Sequence, residues 1–415
     1  MRVRRLNPQS FAFLLLLGGL GSLPPLAIDM SLPALAAMAA DFHQSVAATG
    51  WTLSLFLAGF SVAQLPFGPM SERFGRRPIL IFGCALFSAA SFLAALAPDL
   101  ASLLILRFFA GFGAGAGAAM NFAMVRDLFE GAQARTRLAY VSTVIGVAPM
   151  VAPSLGALIL MFGSWRVVNG VLGLGGALLT AAVLLGLEES RRGKDRHALV
   201  WRRLAAVYAK VATTPSAIGN ALTSGFSFAC MFSWISGSSN LMMRLFHLSA
   251  GAYSGAFALT SFGIMIGSVV SGQLSRRHWP ATAPLVIGLA GAFAGALILL
   301  ALTLANAASV SAFLPLLVFC CFCAGLIAPN VAHGALHPMP EIAGVVGAAL
   351  VFVQMMCGSL ASALVAHFDD GRTPLSMTVS MAFFAFAALA IHWLWVKPAA
   401  RRQKPGAAAA RPSRA

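Results

Sequence analysis

Two ionisable residues stand where the chain otherwise has no charge. Asp29 is the one acid inside the long apolar runs, and Arg107 is the one base. A carboxylate at bilayer depth costs ~2.5–3.5 kcal/mol on insertion scales, a cost that the neutral acid escapes, so an acid held there suits proton carriage. Pro24, Pro25 and Pro33 interrupt the helical pattern around it, and irregular backbone at depth is tolerated mainly where it lines protein or a cavity. The plainer alternative puts Asp29 at the mouth of the span, since 18 residues past Phe11 is ~27 Å along an ideal helix. Arg107 stays charged and must find partners. On the residues alone it is expected to hold neighbouring spans together.

A third charged feature is the loop Gly68-Pro69-Met70-Ser71-Glu72-Arg73-Phe74-Gly75-Arg76-Arg77. Its glycines permit tight turns and close helix approach, while Glu72 can pair with the arginines or receive a helix N-terminus. The expected role is a gate, with Gly68, Glu72, Arg73, Gly75, Arg76 and Arg77 as its parts. A plain topology-setting loop would also carry such arginines.

The elements that position these groups follow from composition. Of 415 residues, 59% are hydrophobic and 10% charged, with a mean hydropathy of +0.85, whereas soluble proteins carry roughly 25% charged residues. With ~20 residues per crossing and short loops, the length allows about twelve spans. Apolar runs place them near 11–39, 47–67, 78–98, 100–124, 137–161, 166–187, 214–242, 250–274, 281–304, 309–332, 342–366 and 374–396. The net charge of +16 raises nucleic acid as a partner, but the bases concentrate on alternate loops and the termini; the intervening loops hold Arg166, Arg244 and Arg372. The positive-inside rule then puts both termini in the cytoplasm and requires an even number of spans.

The reading is an all-α polytopic membrane protein of twelve transmembrane helices in two pseudo-symmetric six-helix bundles, 1–187 and 214–396. A basic cytoplasmic linker, 188–213, joins them, and a basic tail, 397–415, is expected to be disordered. Gly272-Gln273-Leu274-Ser275-Arg276-Arg277 echoes Gly68 to Arg73 after the second span of the second half, as a parallel repeat would place it. The basic, apolar N-terminus is read as an uncleaved first span. Cysteines all lie in apolar runs and lack zinc spacing, no P-loop is present, and no catalytic pair stands out. No enzyme, metal, cofactor or nucleic-acid role is expected.

These residues together resemble the major facilitator superfamily, in its twelve-span drug:proton antiporter group and most closely the bicyclomycin/chloramphenicol-resistance (Bcr/CflA) branch. Gly68 to Arg77 is similar to the superfamily signature G-x-x-x-D-R-x-G-R-R, with Glu72 in the Asp slot. Leu103 to Gly111 resembles L-x-x-x-R-x-x-Q-G, with Arg107 matched and Ala110 in place of Gln. Pro149-Met150-Val151-Ala152-Pro153-Ser154-Leu155-Gly156 resembles the antiporter motif of span five, and Ile28-Asp29-Met30-Ser31-Leu32-Pro33 the D-M-x-L-P of span one. The resemblance implies proton coupling through Asp29 and Arg107, and a leak seal at Pro149, Pro153 and Gly156, where an ordinary kinked helix is the alternative. Gly21 and Ser22 offer no second acid in span one, which puts a two-acid scheme in doubt.

By the same resemblance a substrate cavity would draw on Asn121, Asn220, Phe226, Phe228, Met231, Trp234 and Asn330, with Gln354 and Met355 from span eleven. Aromatic and Met side chains repack around varied apolar ligands while amides orient them. The implied function is export of amphipathic drugs in exchange for protons across a bacterial inner membrane, by a monomer whose partners are protons, a small substrate and the bilayer. The same fold could export a native metabolite such as a sugar, nucleoside or amino-acid derivative, and a non-transporting membrane sensor is the remaining rival.

Overall fold

The computed structural model describes residues 6–191, 193, 195, 198–277, 279–280 and 282–398, and the chain is helical throughout them. The first six crossings are α1 (Phe11–Asp29) continued through a short turn by α2 (Leu35–Asp41), then α3 (Val46–Phe74), α4 (Arg76–Ala95), α5 (Leu100–Leu128), α6 (Gly131–Phe162) and α7 (Trp165–Gly186). A further helix, α8 (Trp201–Thr213), lies in the segment expected to be a basic linker. The second set is α9 (Pro215–Ser239), α10 (Ala250–Arg276), α11 (Thr282–Leu304), α12 (Val310–Leu336), α13 (Ala343–Phe368) and α14 (Leu375–Ile391).

Among the described residues eleven segments are long and apolar enough to cross a membrane. The other helix of that length, α9, has 25 residues and is rich in Ser and Gly, which lowers its hydropathy without shortening it. The tail from 399 onward lies outside the described residues.

Local sequence explains the helix starts. Ser10, Ser45, Asp99, Ser249 and Ser309 each stand just before a helix, and their side-chain oxygens accept from the amides of Phe13, Ala48, Ser102, Ala252 and Ala312. Each satisfies one of the donors that a helix start leaves orphaned. Between α3 and α4 the break falls at Gly75, whose φ of 109° few side chains tolerate. A Cβ there would also run into the Glu189 carboxylate, with Cδ at 2.8 Å.

The two sets of helices meet along α3 and α13. Ser359 Oγ donates to the Ser54 carbonyl at 2.8 Å, and Ser61 Oγ donates to the Phe352 carbonyl at 2.8 Å. Farther along the same seam Gly50 lies against Ala366. A second seam joins α6 to α10. For helices already in lipid such approaches rest on small residues and interhelical hydrogen bonds rather than on burial of oil from water. The two seams flank a central space.

Candidate transport cavity

That space is a cavity of about 490 Å³. Each bordering helix contributes one stripe at helical spacing: Gly21, Pro24, Pro25 and Ile28 from α1; Leu57, Phe60 and Gln64 from α3; Ser142, Ile145, Gly146 and Pro149 from α6; and Phe257, Thr260, Ser261 and Ile264 from α10. Ala118, Asn121 and Phe122 of α5, Phe228, Met231, Phe232, Trp234 and Ile235 of α9, Cys321 of α12, and Val351, Gln354 and Met355 of α13 complete the wall. The wall is apolar with a few amides and hydroxyls, the pattern of a site that binds by shape and orients by a small number of polar contacts.

One ionisable carboxylate belongs to this wall, Asp29. It is 4% exposed, and among the described residues its carboxylate has no salt bridge. Arg107 does not pair with it. Arg107 Nη2 instead donates to the Ala27 carbonyl at 2.9 Å, and the guanidinium stands 4.8 Å from the centre of the Phe56 ring. Ala27 is near the C-terminus of α1, where carbonyls lack an intrahelical donor and favour a cation. Ser31 Oγ donates to the same oxygen at 2.8 Å. Arg107 therefore holds the last turn of α1, which carries Asp29, and reaches the cavity only through it.

The expected residues divide. Asp29, Pro149, Asn121, Phe228, Met231, Trp234, Gln354 and Met355 stand on the cavity wall. Asn121 Oδ1 accepts from the Phe122 amide at 2.7 Å, and Trp234 Nε1 donates to Thr260 Oγ1 at 3.4 Å. Asn220, Phe226 and Asn330 stand elsewhere. Asn220 Nδ2 donates to the Ser216 carbonyl at 2.7 Å and packs on Gly334, more than two turns from the α9 stripe. Phe226 is stacked on Phe384 with ring centres 6.0 Å apart, because two residues before Phe228 is roughly the opposite side of a helix. Asn330 Nδ2 is taken by Ser271 Oγ and the Leu326 carbonyl, both at 2.8 Å.

Pro153 is buried away from the wall, and Gly156 lies against the backbone of Met30, the residue after Asp29. A Cβ at 156 would overlap the Met30 carbonyl oxygen and stand 3.0 Å from its carbon and Cα. α6 thus packs against the same turn that Arg107 holds.

The loop at 68–77 is built differently from the expectation for Glu72. Arg76 Nε donates to Asp127 Oδ2 at 3.0 Å, and Arg76 Nη1 donates to Ser71 Oγ. The amides of Arg76 and Arg77 donate to Glu189 at 2.8 and 3.2 Å, and Arg77 Nη2 to the Leu184 carbonyl at 2.7 Å. The acid that receives the N-terminus of α4 is therefore Glu189, and the ion-pair partner is Asp127. Glu72 is half-buried, and its backbone carbonyl accepts from the Asp195 amide at 3.1 Å. Arg73 is exposed beside Phe74. The echo at Gly272 to Arg276 forms the last turns of α10.

Sequence reasoning passed over Asp127, Glu189, Gln64, Phe60 and the α10 stripe. The two acids had a signal, each standing at the end of an apolar run amid arginines. The α10 stripe had only its 257, 260, 261, 264 spacing.

Two sets of membrane-length helices around a central, mostly apolar cavity define a secondary transporter, in which the cavity takes the place of an active site. The chain belongs to the Major Facilitator Superfamily, whose family model matches residues 17–366. It is 26% identical over 390 residues to the bicyclomycin resistance protein homolog of Haemophilus influenzae, covering 93% of this chain and 96% of that relative. It is 30% identical over 342 residues to the chloramphenicol resistance protein of Pseudomonas aeruginosa, covering 81% and 79%. A crystal structure of the peptide transporter POT in complex with sulfate superposes with a TM-score of 0.74 at 13% identity, covering 97% of each chain, a likeness of fold alone. The protein is a multi-pass membrane transporter and not an enzyme.

Proposed function

We propose that the chain is a proton-coupled antiporter that exports amphipathic drug-like molecules, bicyclomycin-like or phenicol-like compounds among them, by alternating access. The end bearing the 68–77 loop faces the cytoplasm in this reading, as do both termini. The observation that carries it is Asp29, a carboxylate with no salt bridge among the described residues, on the wall of a mostly apolar cavity between the two bundles.

In such a place a proton and a substrate compete or alternate for the one carboxylate on the wall. Arg107 positions the turn that carries the acid, and the contact of Gly156 on Met30 closes the route past it. Each proton entering down 100 mV supplies ~2.3 kcal/mol, enough for a roughly fiftyfold gradient before any pH contribution. The relatives' names, which speak of bicyclomycin and chloramphenicol resistance, support the substrate class.

The test is substrate-induced proton release from everted vesicles across a panel of drugs, comparing the wild type with Asp29→Asn. The variant is expected to lose drug-dependent proton movement while still accumulating in the membrane. Proton exchange at the wild-type rate in Asp29→Asn would remove Asp29 from the coupling step.

A further inference from the structure

The α8 helix has its own engineering. Leu204, Val207, Tyr208 and Val211 recur at i, i+3, i+4 and i+7, an amphipathic pattern. The end of the helix is fixed to the second bundle: Val211 is buried in a cluster with Ala335, Met339 and Val346, and Lys210 Nζ lies 3.2 Å from Glu341 Oε1. The other contact runs back to the first bundle. Tyr208 Oη donates to the Leu65 carbonyl, on α3, at 3.0 Å.

That carbonyl is available for a physical reason. In an α-helix the Leu65 oxygen would accept from the amide of residue 69, but residue 69 is Pro and has no N–H. A proline inside α3 therefore orphans the acceptor, and the tyrosine of a helix anchored on the opposite bundle fills it.

Tyr208 also lines a second chamber of about 320 Å³, together with Pro69, Glu72 and Arg126 of the first bundle and Glu341 and Ala348 of the second. This chamber adjoins the central cavity: on α5 Ala119 of the chamber is next to Ala118 of the cavity, and on α13 Ala348 of the chamber stands three residues, about one turn, from Val351 of the cavity. On the reading of alternating access, it is the cytoplasmic approach to the cavity.

We infer that α8 is a strap across this approach and that Tyr208 is a positioning residue for transport, limiting how far the bundles part on the cytoplasmic side through its bond to the proline-orphaned carbonyl of Leu65. The inference rests on the alternating-access reading but not on the substrate or on Asp29. Swinging the bundles apart must stretch this bond, because one end rides on each bundle.

The experiment measures labelling of Ala118→Cys, on the cavity wall, by a membrane-impermeant maleimide in everted vesicles, with the chain lacking Ala118→Cys as background. No substrate or proton gradient is needed. Adding Tyr208→Phe removes one hydroxyl and is expected to raise the labelling rate about two- to tenfold, the range of one net hydrogen bond. Pro69→Ala gives Leu65 an intrahelical donor, and in that background Tyr208→Phe is expected to change labelling less than twofold. An unchanged rate with Tyr208→Phe alone overturns the strap. An equal rise in both backgrounds overturns the role of the proline. Absence of drug-dependent proton release in the wild type itself would strike the antiport reading and leave the labelling result standing.

Discussion

Replacing Gly156 by Ala tests whether the α6 bend seals the turn that carries Asp29. Ala favours a helix over Gly by roughly 0.5–1 kcal/mol, so by local preference alone the substitution stabilises. The structure reverses that sign. The new methyl would overlap the Met30 carbonyl oxygen, with the carbonyl carbon and Cα of Met30 at 3.0 Å, and backbone cannot rotate away as a side-chain tip can. Relief requires α6 and the end of α1 to separate by on the order of an ångström, and overpacking of this kind costs about 1–3 kcal/mol. The expected net loss is therefore about 0–2.5 kcal/mol. Gly146 supplies the control: it lies on the same helix, lines the cavity and has nothing within 4 Å of its would-be Cβ, so Gly146→Ala is expected to gain the local ~0.5–1 kcal/mol. Unfolding of the purified protein in mixed micelles measures both, and passive proton leak into reconstituted vesicles measures the seal. Gly156→Ala is expected to be the less stable of the two and the leakier. Equal stabilisation by both alanines, with no added leak, would refute the close approach and the seal built on it.

Two further perturbations probe the loops. Asp127→Asn deprives Arg76 of its ion-pair acceptor, and with side chains 7% and 18% exposed the expected loss is about 2–3 kcal/mol, below the ~3–5 kcal/mol of a fully buried broken pair; equilibrium unfolding with a double-mutant cycle against Arg76→Ala checks it, and additive losses would mean no coupling. At the other end of the molecule Asp369 accepts from Asn240 Nδ2 at 3.1 Å on both oxygens, and burial pushes its carboxyl above the usual range, aided by Asp370 and opposed by the Gly371 amide and Arg244. With its folded value raised, its contribution to stability is present below the ordinary carboxylate value near ~4 and is lost as pH rises through the raised value. Thermal unfolding should therefore show wild-type stability falling relative to Asp369→Asn as pH climbs through the mildly acid range, and parallel curves would show that the group is not shifted.

How much of this was legible in the chain depended on whether the signal was local. Apolar runs of span length and the arginines between them gave the helices and their loops, because both are properties of contiguous residues. Asp29 was conspicuous for the same reason. The facing of α9 was not: its aromatic residues fall on more than one side, so hydropathy does not distinguish Phe226, stacked on Phe384, from Phe228 on the cavity wall. Nor could the loop's acids be assigned from spacing. Asp127 and Glu189 lie 51 and 113 residues from Arg76, so the pairing is a product of packing, and the acid within the motif, Glu72, was the nearer but mistaken partner for the α4 N-terminus. The α8 pattern at 204, 207, 208 and 211 was present in the chain but overshadowed by the surrounding bases.

On the proposed antiport reading, the cavity also accounts for how one acid would serve chemically varied cargo. On the wall, the first bundle supplies Asp29, the amides of Gln64 and Asn121, and two prolines of α1, while the second adds the amide of Gln354 and the hydroxyls of Thr260 and Ser261. The second bundle supplies most of the large adaptable surface, with Met231, Met355, Phe228, Phe232, Phe257 and Trp234. Such side chains change partners by rotation at small cost, whereas Asp29 is held by a turn pinned between Arg107 and Gly156. Proton binding needs one geometry and drug binding needs many, and these demands conflict when they fall on the same residues. On that reading they are divided largely between the two bundles. Broad substrate choice is then compatible with a single fixed protonation site, since the surface that adapts to the drug is not the turn that positions the acid.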